Sequence, residues 1–259
     1  FQTAAELNEW TAQADHPAFR PFVELREALP PRVRGQLGAL AVQQTGWLAV
    51  DALLAALHET LAQTGRFELL PQWVDYAELD PHAPSWNGVP LAGILFCEGV
   101  GANKNPWWEV APIRPLKGEL LRLHIPGLGL EEILSRQGYL VPAGEDTYIL
   151  GATYEKFPAG AAPTAAGRAD LLVRLHRLLD LSGLAVSVVA HQAGLRPTTR
   201  DRRPVAGTHP NHPKLEFLNG LGTKGVLQAP WLSRVLVSHL LQHEPLPAAV
   251  RMDRLAGKS

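Results

Sequence analysis

The sequence has one cysteine, one methionine and no apolar run long enough to cross a membrane. Because Cys97 has no second cysteine to pair with, no intramolecular disulfide can form, and we expect a reducing compartment. A membrane-spanning helix needs roughly 18 consecutive apolar residues, and no signal peptide is recognisable either. The composition therefore predicts a cytoplasmic protein without a membrane partner.

Charge of either sign is also scarce and nearly balanced. Charged residues make up 19% of the chain, and 24 Lys and Arg against 25 Asp and Glu leave a formal net charge of −1. The basic run at 196–203 is interrupted by Asp201. Without a global basic field we expect no nucleic-acid partner. Hydrophobic residues make up 46% of the 259 residues, which is enough for one large domain or two intertwined ones.

Motifs of metal-dependent and nucleophilic enzymes are missing as well. The chain contains no G-x-S-x-G elbow and no H-E-x-x-H motif. His209 and His212 are separated by three positions, but prolines follow each of them and no cysteine or acidic partner stands beside them, so we expect no metal site. Cys97 ends an apolar run and is expected to be buried and inert. No residue is assigned as a catalytic acid, base or nucleophile.

Hydrophobic periodicity predicts a mixed helix and strand fold. Helices are expected at 4–15, 47–64, 167–181 and about 226–242. Strands are expected at 67–70, 74–79, 91–97, 118–124, 139–142, 147–153, 184–191 and 215–218. The run 91–97 is typical of a strand buried on both faces in a parallel sheet, whereas the Pro-, Arg- and His-rich segment 194–213 is predicted to be a long structured loop. Because buried strands alternate with β-meander segments, we expect two domains that the chain crosses more than once.

A glycine motif lies in the last quarter of the chain, within LEFLNGLGTKGVLQAPWLSRVLVSHLL. Gly220, Gly222 and Gly225 spell G-x-G-x-x-G between a strand pattern and a helix pattern. Such glycines let backbone N–H groups approach an anion, and the helix N-terminus adds a partial positive charge. A complete dinucleotide-binding unit needs further parallel strands and an acidic residue about 20 positions on, which the Pro-rich sequence after Gln242 does not offer. The motif alone predicts either a helix start that faces an anion or cofactor, or a plain strand-to-helix turn.

Several segments, taken in order, resemble one enzyme family. They are TGWLAV (45–50), FCEG (96–99), PLKGEL (115–120), YLVP (139–142), GATY (151–154), AGLRP (193–197), DRRP (201–204) with Gly207, and NGLGTKG (219–225) with AP (229–230). Their order and spacing resemble the FAD-dependent D-amino-acid oxidase family, near its glycine oxidase and sarcosine oxidase members. Members of that family begin with a βαβ unit that carries the main nucleotide fingerprint, and the sequence shows no such unit. The resemblance therefore implies a fragment that does not retain FAD by itself.

The family resemblance implies an α/β plus α+β architecture. A substrate domain with an antiparallel sheet and helices is intertwined with the C-terminal part of an FAD-binding Rossmann-like domain. Residues 1–90 are assigned mainly to the substrate domain, 91–114 to an FAD-domain strand and turn, 115–190 to the substrate-domain sheet and helix, and 191–259 to the returning FAD-domain strand and C-terminal helix. The implied reaction is oxidation of a small amine or amino acid by hydride transfer to flavin, with FAD as cofactor. Neither the electron acceptor nor the oligomeric state follows from the sequence.

Site residues are carried over by their positions in the family motifs. Arg196 resembles the arginine that clamps the substrate carboxylate, a task that suits its planar, bidentate guanidinium, and Tyr139 resembles the tyrosine whose hydroxyl helps to hold the same group. Glu98 and Gly99 resemble the strand end that approaches FAD. The cofactor-binding turn comprises Gly220, Leu221, Gly222, Thr223, Lys224 and Gly225. Its backbone and the following helix are expected to face the N1–C2=O edge of the flavin, where negative charge develops on reduction.

Each of these assignments has a plain structural alternative. Arg196 could be a surface arginine next to Pro197, Tyr139 a half-buried sheet residue and Lys224 a solvated lysine. For the whole chain, the alternative is a truncated, non-catalytic relative that binds a small acid or a partner without FAD. A relative that acts in RNA-base modification is a further interpretation, which the lack of a basic surface signal disfavours.

Overall fold

A computed structural model describes residues 1–109 and 113–255 of the chain. Its helices are α1 (Ala4–Ala14), α2 (Val50–Gln63), α3 (Ala165–Leu178) and α4 (Gly225–Gln242). Its strands are β1 (Val23–Arg26), β2 (Ala39–Val42), β3 (Leu79–Asp80), β4 (Ser85–Trp86), β5 (Val89–Pro90), β6 (Ile94–Phe96), β7 (Arg114–His124), β8 (Leu134–Ser135), β9 (Tyr139–Pro142), β10 (Thr147–Gly151), β11 (Glu155–Lys156), β12 (Ser187–Thr198), β13 (Val205–His209) and β14 (His212–Asn219). Short 3₁₀ segments lie at Arg20–Phe22, Tyr76–Glu78, Gly99–Lys104, Gly222–Lys224 and Met252–Leu255. None of the helices in these ranges combines the length and apolar character needed to span a membrane.

The helices begin where the sequence supplies capping residues. Thr3 forms a capping box with Glu6 at the start of α1, and Thr164 accepts a hydrogen bond from the Gly167 N–H at the start of α3. Gly65, with φ of +65°, follows the end of α2, where glycine is favoured. The four predicted helices are confirmed, with shifts of a few residues at their ends.

The chain divides into two compact units, each built from three separate segments. Unit 1 comprises Phe1–Leu48, Gly118–Tyr154 and Ala162–Gly194, and unit 2 comprises Ala49–Lys117, Glu155–Ala161 and Leu195–Ser259. The mixed helix and sheet architecture is confirmed. The assignment of the predicted segments to a substrate domain and an FAD-binding domain stays a prediction, because compactness alone does not say which unit binds a cofactor. Two of those segments, 91–114 and 191–259, also reach residues outside the described ranges.

Unit 1 is an antiparallel sheet covered by α3. β7, β10, β9 and β8 lie side by side in that order, with Leu150 of β10 opposite Leu121 of β7. Leu171 and Leu175 of α3 are fully buried in the same core as those leucines. Buried and less buried residues alternate in β7 from Glu119 to His124, and Leu121 and Leu123 point into this core, the pattern expected of a sheet with one covered face.

A buried carboxylate joins β7, β12 and α3 within unit 1. Glu119 is 1% exposed, and it accepts hydrogen bonds from the N–H and the hydroxyl of Thr164 at 2.9 and 2.8 Å. The Nε2 atom of His191 lies 2.8 Å from the same carboxylate. A Cβ on Gly167 would come within 2.3 Å of Glu119, so any side chain at position 167 would displace the carboxylate from the first turn of α3. Negative charge is stabilised at this position because it faces the positive end of the helix dipole.

Unit 2 combines parallel and antiparallel pairing. β14 pairs antiparallel with β13 and parallel with β6, and β3, β4 and β5 form a small antiparallel sheet. Trp108 and Phe217 stack with ring centroids 4.8 Å apart in one core, and Leu232 and Leu236 of α4 are buried in another. α2 belongs to this unit but has no buried residue.

Five expectations about local structure are wrong. The segment 67–70 forms no strand. Half of 74–79 is occupied by the 3₁₀ segment Tyr76–Glu78, and only Leu79 belongs to a strand. The predicted loop 194–213 instead contains the end of β12, all of β13 and the start of β14. β6 is parallel to its neighbour as expected, but it is shorter than 91–97 and is not buried on both faces, since Leu95 is 44% exposed. Cys97 is exposed rather than buried.

Candidate functional site

Two turns that follow parallel strands form the centre of the candidate site in unit 2. Phe96 of β6 pairs with Phe217 of β14, so the carboxyl ends of both strands lie at one edge of the sheet. Glu98 and Gly99 follow β6, and the glycine turn that begins at Gly220 follows β14. Ligands of open α/β sheets bind outside the carboxyl ends of parallel strands. The fold therefore brings the two predicted cofactor-binding segments to the edge at which such ligands bind.

Asn219 links the two turns. Its Nδ2 donates to the carbonyl oxygen of Gly99 at 2.9 Å, and its Oδ1 accepts from the N–H of Gly220 at 2.8 Å. The side chain is buried at 2% exposure. Gly99 and Gly220 have φ values of +58° and +74°, a region that favours glycine. Asn219 is a site residue that the sequence motifs did not predict, although an asparagine directly before a glycine turn is a recognisable signal.

The start of α4 leaves backbone donors without a side-chain cap. The 3₁₀ segment Gly222–Lys224 leads directly into α4, and no side chain among the described residues caps this helix. The N–H of Lys224 bonds to the carbonyl of Leu221 at 3.2 Å, while the side chains of Thr223 and Lys224 are exposed. Uncapped N–H groups at the start of an 18-residue helix carry a partial positive charge. The turn can therefore accept a negatively charged group.

The end of β12 packs directly against the glycine turn. Thr198 forms a β-bridge with Leu221, and a Cβ on Gly222 would lie 3.3 Å from Cγ2 of Thr198. A Cβ on Gly220 would lie 2.6 Å from Cγ2 of Thr199. Gly220 is thus required by protein packing whether or not a ligand is bound, while at Gly222 the φ of +55° favours glycine.

Arg196 lies on the same stretch of β12 and has a buried, unpartnered nitrogen. The next residue, Pro197, approaches the first turn, since its Cγ would be 3.9 Å from a Cβ on Gly99. The Nη1 atom of Arg196 is buried and has no hydrogen-bond partner among residues 1–109 and 113–255. Leaving a buried donor unpaired costs about 1–3 kcal/mol, and more when the group is charged. The guanidinium is therefore a candidate binder of an anion.

Asp201 holds the loop that follows β12. It accepts hydrogen bonds from the hydroxyl of Thr199 and the N–H of Arg203, and Nε of Arg254 lies 2.9 Å from its carboxylate. Burial raises the pKa of this carboxyl, but the hydrogen bonds from Arg254, Thr199 and Arg203 outweigh burial and lower the pKa to about 2. The aspartate of the D-R-R-P segment thus fixes the backbone just after Arg196.

Both oxygens of the Glu98 carboxylate accept hydrogen bonds within unit 2. One oxygen accepts from the hydroxyl of Tyr76 at 2.5 Å and the other from Nδ2 of Asn105 at 2.8 Å. Burial and the hydrogen bond to Glu98 raise the pKa of the Tyr76 phenol, so this hydroxyl stays protonated and donates. The contribution of Glu98 and Gly99 to a ligand would therefore come from the backbone of the turn.

Tyr139 belongs to unit 1, where it lies over a glycine of the neighbouring strand. It pairs with Gly151 of β10, and a Cβ on Gly151 would come within 2.6 Å of both Cζ and Oη of the tyrosine. Nη1 of Arg174 holds the adjoining turn by donating to the carbonyl of Gln137 at 2.7 Å. The hydroxyl of Tyr139 has no hydrogen-bond partner within the described part of the chain. It is therefore available to a ligand.

Histidines of unit 2 cluster without forming a metal centre. The ring centroids of His209 and His212 are 4.7 Å apart, as are those of His82 and His212. Within the described ranges, no group of three or more His, Cys, Asp and Glu side chains is placed to hold a metal ion. Burial and the nearby His212 lower the pKa of His209, so its imidazole is held neutral.

Comparison with known proteins gives consistent matches over most of the chain. The family described as "FAD dependent oxidoreductase" (DAO) matches residues 2–239. The tRNA 5-methylaminomethyl-2-thiouridine biosynthesis bifunctional protein MnmC of Caulobacter sp. is 33% identical over 180 residues, which cover 66% of this chain and 28% of that protein. Glycine oxidase of Bacillus licheniformis is 29% identical over 207 residues, which cover 79% of this chain and 50% of that protein. The chain thus spans about half or less of the length of these relatives.

A solved structure supports the same relationship at the level of fold. Glycine oxidase from Geobacillus kaustophilus superimposes with a TM-score of 0.77 at 22% identity, covering 96% of this chain and 70% of that one. The resemblance drawn from the sequence motifs is confirmed, and so is FAD as the cofactor of the family. The chain belongs to the FAD-dependent oxidoreductase (DAO) family.

Proposed function

We propose that this chain supplies the substrate-binding and flavin-facing part of an oxidase that acts on a small amine or amino acid bearing a carboxylate. The observation that carries the proposal is the buried, unpartnered Nη1 of Arg196. A charged donor without a partner is costly, and a substrate carboxylate would offset this cost through a bidentate, charge-assisted pair. Tyr139, whose hydroxyl makes no hydrogen bond with the described residues, is a separate candidate for a ligand contact within unit 1.

The turns of unit 2 fit the isoalloxazine end of FAD. The uncapped N–H groups at the start of α4 are suited to a group that gains negative charge. The turn proposed to bind the cofactor here comprises Gly220, Leu221, Gly222, Thr223, Lys224 and Gly225. Glu98 and Gly99 would contribute through the backbone of the neighbouring turn, which Asn219 holds in place. When bound, FAD supplies an acceptor for the hydride that leaves the carbon next to the amine nitrogen. Family membership supports this assignment, and the individual residues remain a proposal.

In this reaction the protein would bind the substrate and orient it. Arg196 would fix the carboxylate end of the substrate, so that the carbon bearing the amine takes up one position. The helix start would stabilise the negative charge that builds up during oxidation. No described side chain is needed as a nucleophile, and the sequence contains no G-x-S-x-G elbow.

The test is substitution of Arg196 in the full protein that carries this sequence, loaded with FAD. Anaerobic bleaching of the flavin is followed at increasing glycine or sarcosine concentration, and again with the methyl ester of each compound. In Arg196→Met the apparent Kd for the free carboxylates should rise about tenfold to a hundredfold, the equivalent of one charge-assisted pair, while the Kd for the esters changes little. Arg234→Met, which removes an exposed arginine from α4, is the matched control. Equal Kd values for Arg196→Met and the control would refute the carboxylate assignment.

A second candidate substrate is an amine carried on RNA. The relatives from Caulobacter sp. and several other bacteria are named for biosynthesis of a methylaminomethyl-modified tRNA base, so RNA stays open as a partner despite our expectation of none. An RNA oligonucleotide that bears such an amine would reduce the flavin faster than the free amino acids if this candidate is correct. No reduction by the oligonucleotide, together with rapid reduction by glycine or sarcosine, would decide for the small-molecule substrate.

A further inference from the structure

Four arginines line a cavity in unit 1. It has a volume of about 470 Å³, and Arg34, Arg136, Arg174, His176 and Arg177 contribute to its wall. All five belong to unit 1, and none of them is among the residues assigned to the amine-oxidising site. The volume lies within the range of about 300–1,000 Å³ that is typical of small-molecule sites.

Three distant parts of the sequence supply these side chains. Arg34 precedes β2, Arg136 lies in the turn between β8 and β9, and Arg174 and Arg177 lie on α3. Arg174 is also held by the carbonyl of Gln137, which ties the turn to the helix. The fold therefore brings these arginines together from segments that are distant in the sequence.

The carboxylates nearby compensate this positive charge incompletely. Arg34 pairs with Asp180 at 3.4 Å and Arg136 with Glu6 at 3.6 Å, both longer than the 2.7–2.9 Å or so of a strong charge-assisted bond. Arg177 makes no ion pair or hydrogen bond with any described residue. The cavity wall therefore keeps positive charge that its own acidic neighbours do not neutralise.

Arg174 is the best compensated of these arginines. It pairs with Asp170 at 2.7 Å, one helical turn away on α3. This pair is of the ordinary surface kind and contributes little to stability. Arg174 therefore adds positive charge to the wall of the cavity but does not decide what the cavity binds.

A purely structural role accounts for Arg34 but not for Arg136. Arg34 donates from Nε to the carbonyl of Leu179 at 2.9 Å, and basic residues are favourable at the C-terminal end of a helix such as α3. Arg136 lies in a turn, and its Nε is buried without any partner in the described ranges. A guanidinium with an unsatisfied buried nitrogen on the wall of a basic cavity is expected where an oxyanion binds.

We propose that this cavity binds a phosphate group, with Arg136 and Arg177 as its principal ligands. Phosphate has several acceptor oxygens and a negative charge that more than one guanidinium can share, and planar guanidinium groups match its geometry. The same chemistry is presented by a free phosphorylated small molecule and by a phosphodiester of RNA. The inference stands independently of the amine-oxidising function, because it concerns unit 1 side chains that the proposed oxidation does not use.

The test measures binding on the full chain with no amine substrate present. Inorganic phosphate is titrated by isothermal calorimetry into the unaltered protein and into Arg136→Gln, Arg177→Gln and Arg122→Gln. Arg122 is exposed on β7 and does not line the cavity, so it is the matched control. We expect saturable binding that weakens at least about tenfold in Arg136→Gln and Arg177→Gln and is unchanged in Arg122→Gln. Arg177→Gln keeps the test decisive if loss of the Arg136–Glu6 pair unfolds the first variant.

The source of the phosphate is resolved with a short single-stranded RNA. A phosphodiester would be identified if phosphate displaces the RNA and if Arg177→Gln changes the salt dependence of RNA binding. The slope of log Kd against log salt concentration should be smaller by about 0.7 in that variant. Phosphate binding without RNA binding would identify a free phosphorylated compound. Absence of saturable phosphate binding up to about 10 mM, or equal binding by all variants, would overturn the proposal. Neither result depends on flavin reduction, so failure here and failure of the proposed oxidase function are separable.

Discussion

Replacement of Asn219 by alanine is the sharpest test of how the candidate site in unit 2 is held together. The side chain makes two hydrogen bonds, to the carbonyl of Gly99 and from the N–H of Gly220, and both partners lie in turns with positive φ. Each bond contributes about 1 kcal/mol net, and removal of a 2% exposed side chain also leaves these backbone groups without their partner. Asn219→Ala should therefore lower the free energy of unfolding by about 2–4 kcal/mol.

The measurement is urea unfolding of the full chain, with hydrogen exchange of the Gly220 amide as a local readout. Asn211→Ala is the control, because Asn211 is an exposed asparagine in the turn between β13 and β14. We expect exchange at Gly220 to accelerate in Asn219→Ala and to stay unchanged in Asn211→Ala. A loss below about 0.5 kcal/mol, the range of ordinary surface substitutions, would show that the two turns do not depend on this link.

Three further outcomes follow from single side chains. Gly151→Ala should cost about 1–3 kcal/mol in urea unfolding, because its Cβ would overlap Tyr139, and the added cost should largely vanish when Tyr139→Ala is also present. Arg196→Met should leave the ligand-free chain as stable as the unaltered chain or more stable, since it removes an unpartnered buried nitrogen; a loss of several kcal/mol would indicate a structural arginine. His209 has a lowered pKa in the fold, so stability should fall as the pH drops below about 6.5, where the unfolded imidazole takes up a proton more readily than the folded one. In His209→Gln this pH dependence should become shallower, and an unchanged slope between about pH 7 and pH 5 would contradict the assignment.

The helices were predictable because their signals are local. Thr3 and Glu6 form the capping box at the start of α1, and leucines at helical spacing define α3. β13 was missed because Val205–His209 lies in a Pro-, Arg- and His-rich segment and gains its strand character from pairing with β14. The opposite error occurred at 67–70, where a short apolar run forms no strand. Whether a segment forms a strand depends on its partner strand more than on its own residues.

The candidate site was only partly predictable for the same reason. The glycines were visible as a spacing, but the contact of Asn219 with Gly99 joins residues 120 positions apart and depends on the parallel pairing of β6 and β14. The arginine cavity could not be predicted from the total charge of the chain, because acidic residues elsewhere cancel its positive charge in that total. A formal net charge of −1 says nothing about arginines that folding gathers from three regions of the chain.

Arg136 and Arg196 share a feature that ordinary structural roles do not explain. Other half-buried arginines among the described residues have partners, as Arg254 has in Asp201 and in the carbonyl of Arg203. Nε of Arg136 and Nη1 of Arg196 are instead buried without partners among the described residues. Folding would gain from an apolar residue at either position, because an unsatisfied buried guanidinium opposes stability. A bound anion would supply the missing hydrogen-bond acceptor to each atom, so both atoms point to ligands. We expect a carboxylate at Arg196 and a phosphate at Arg136.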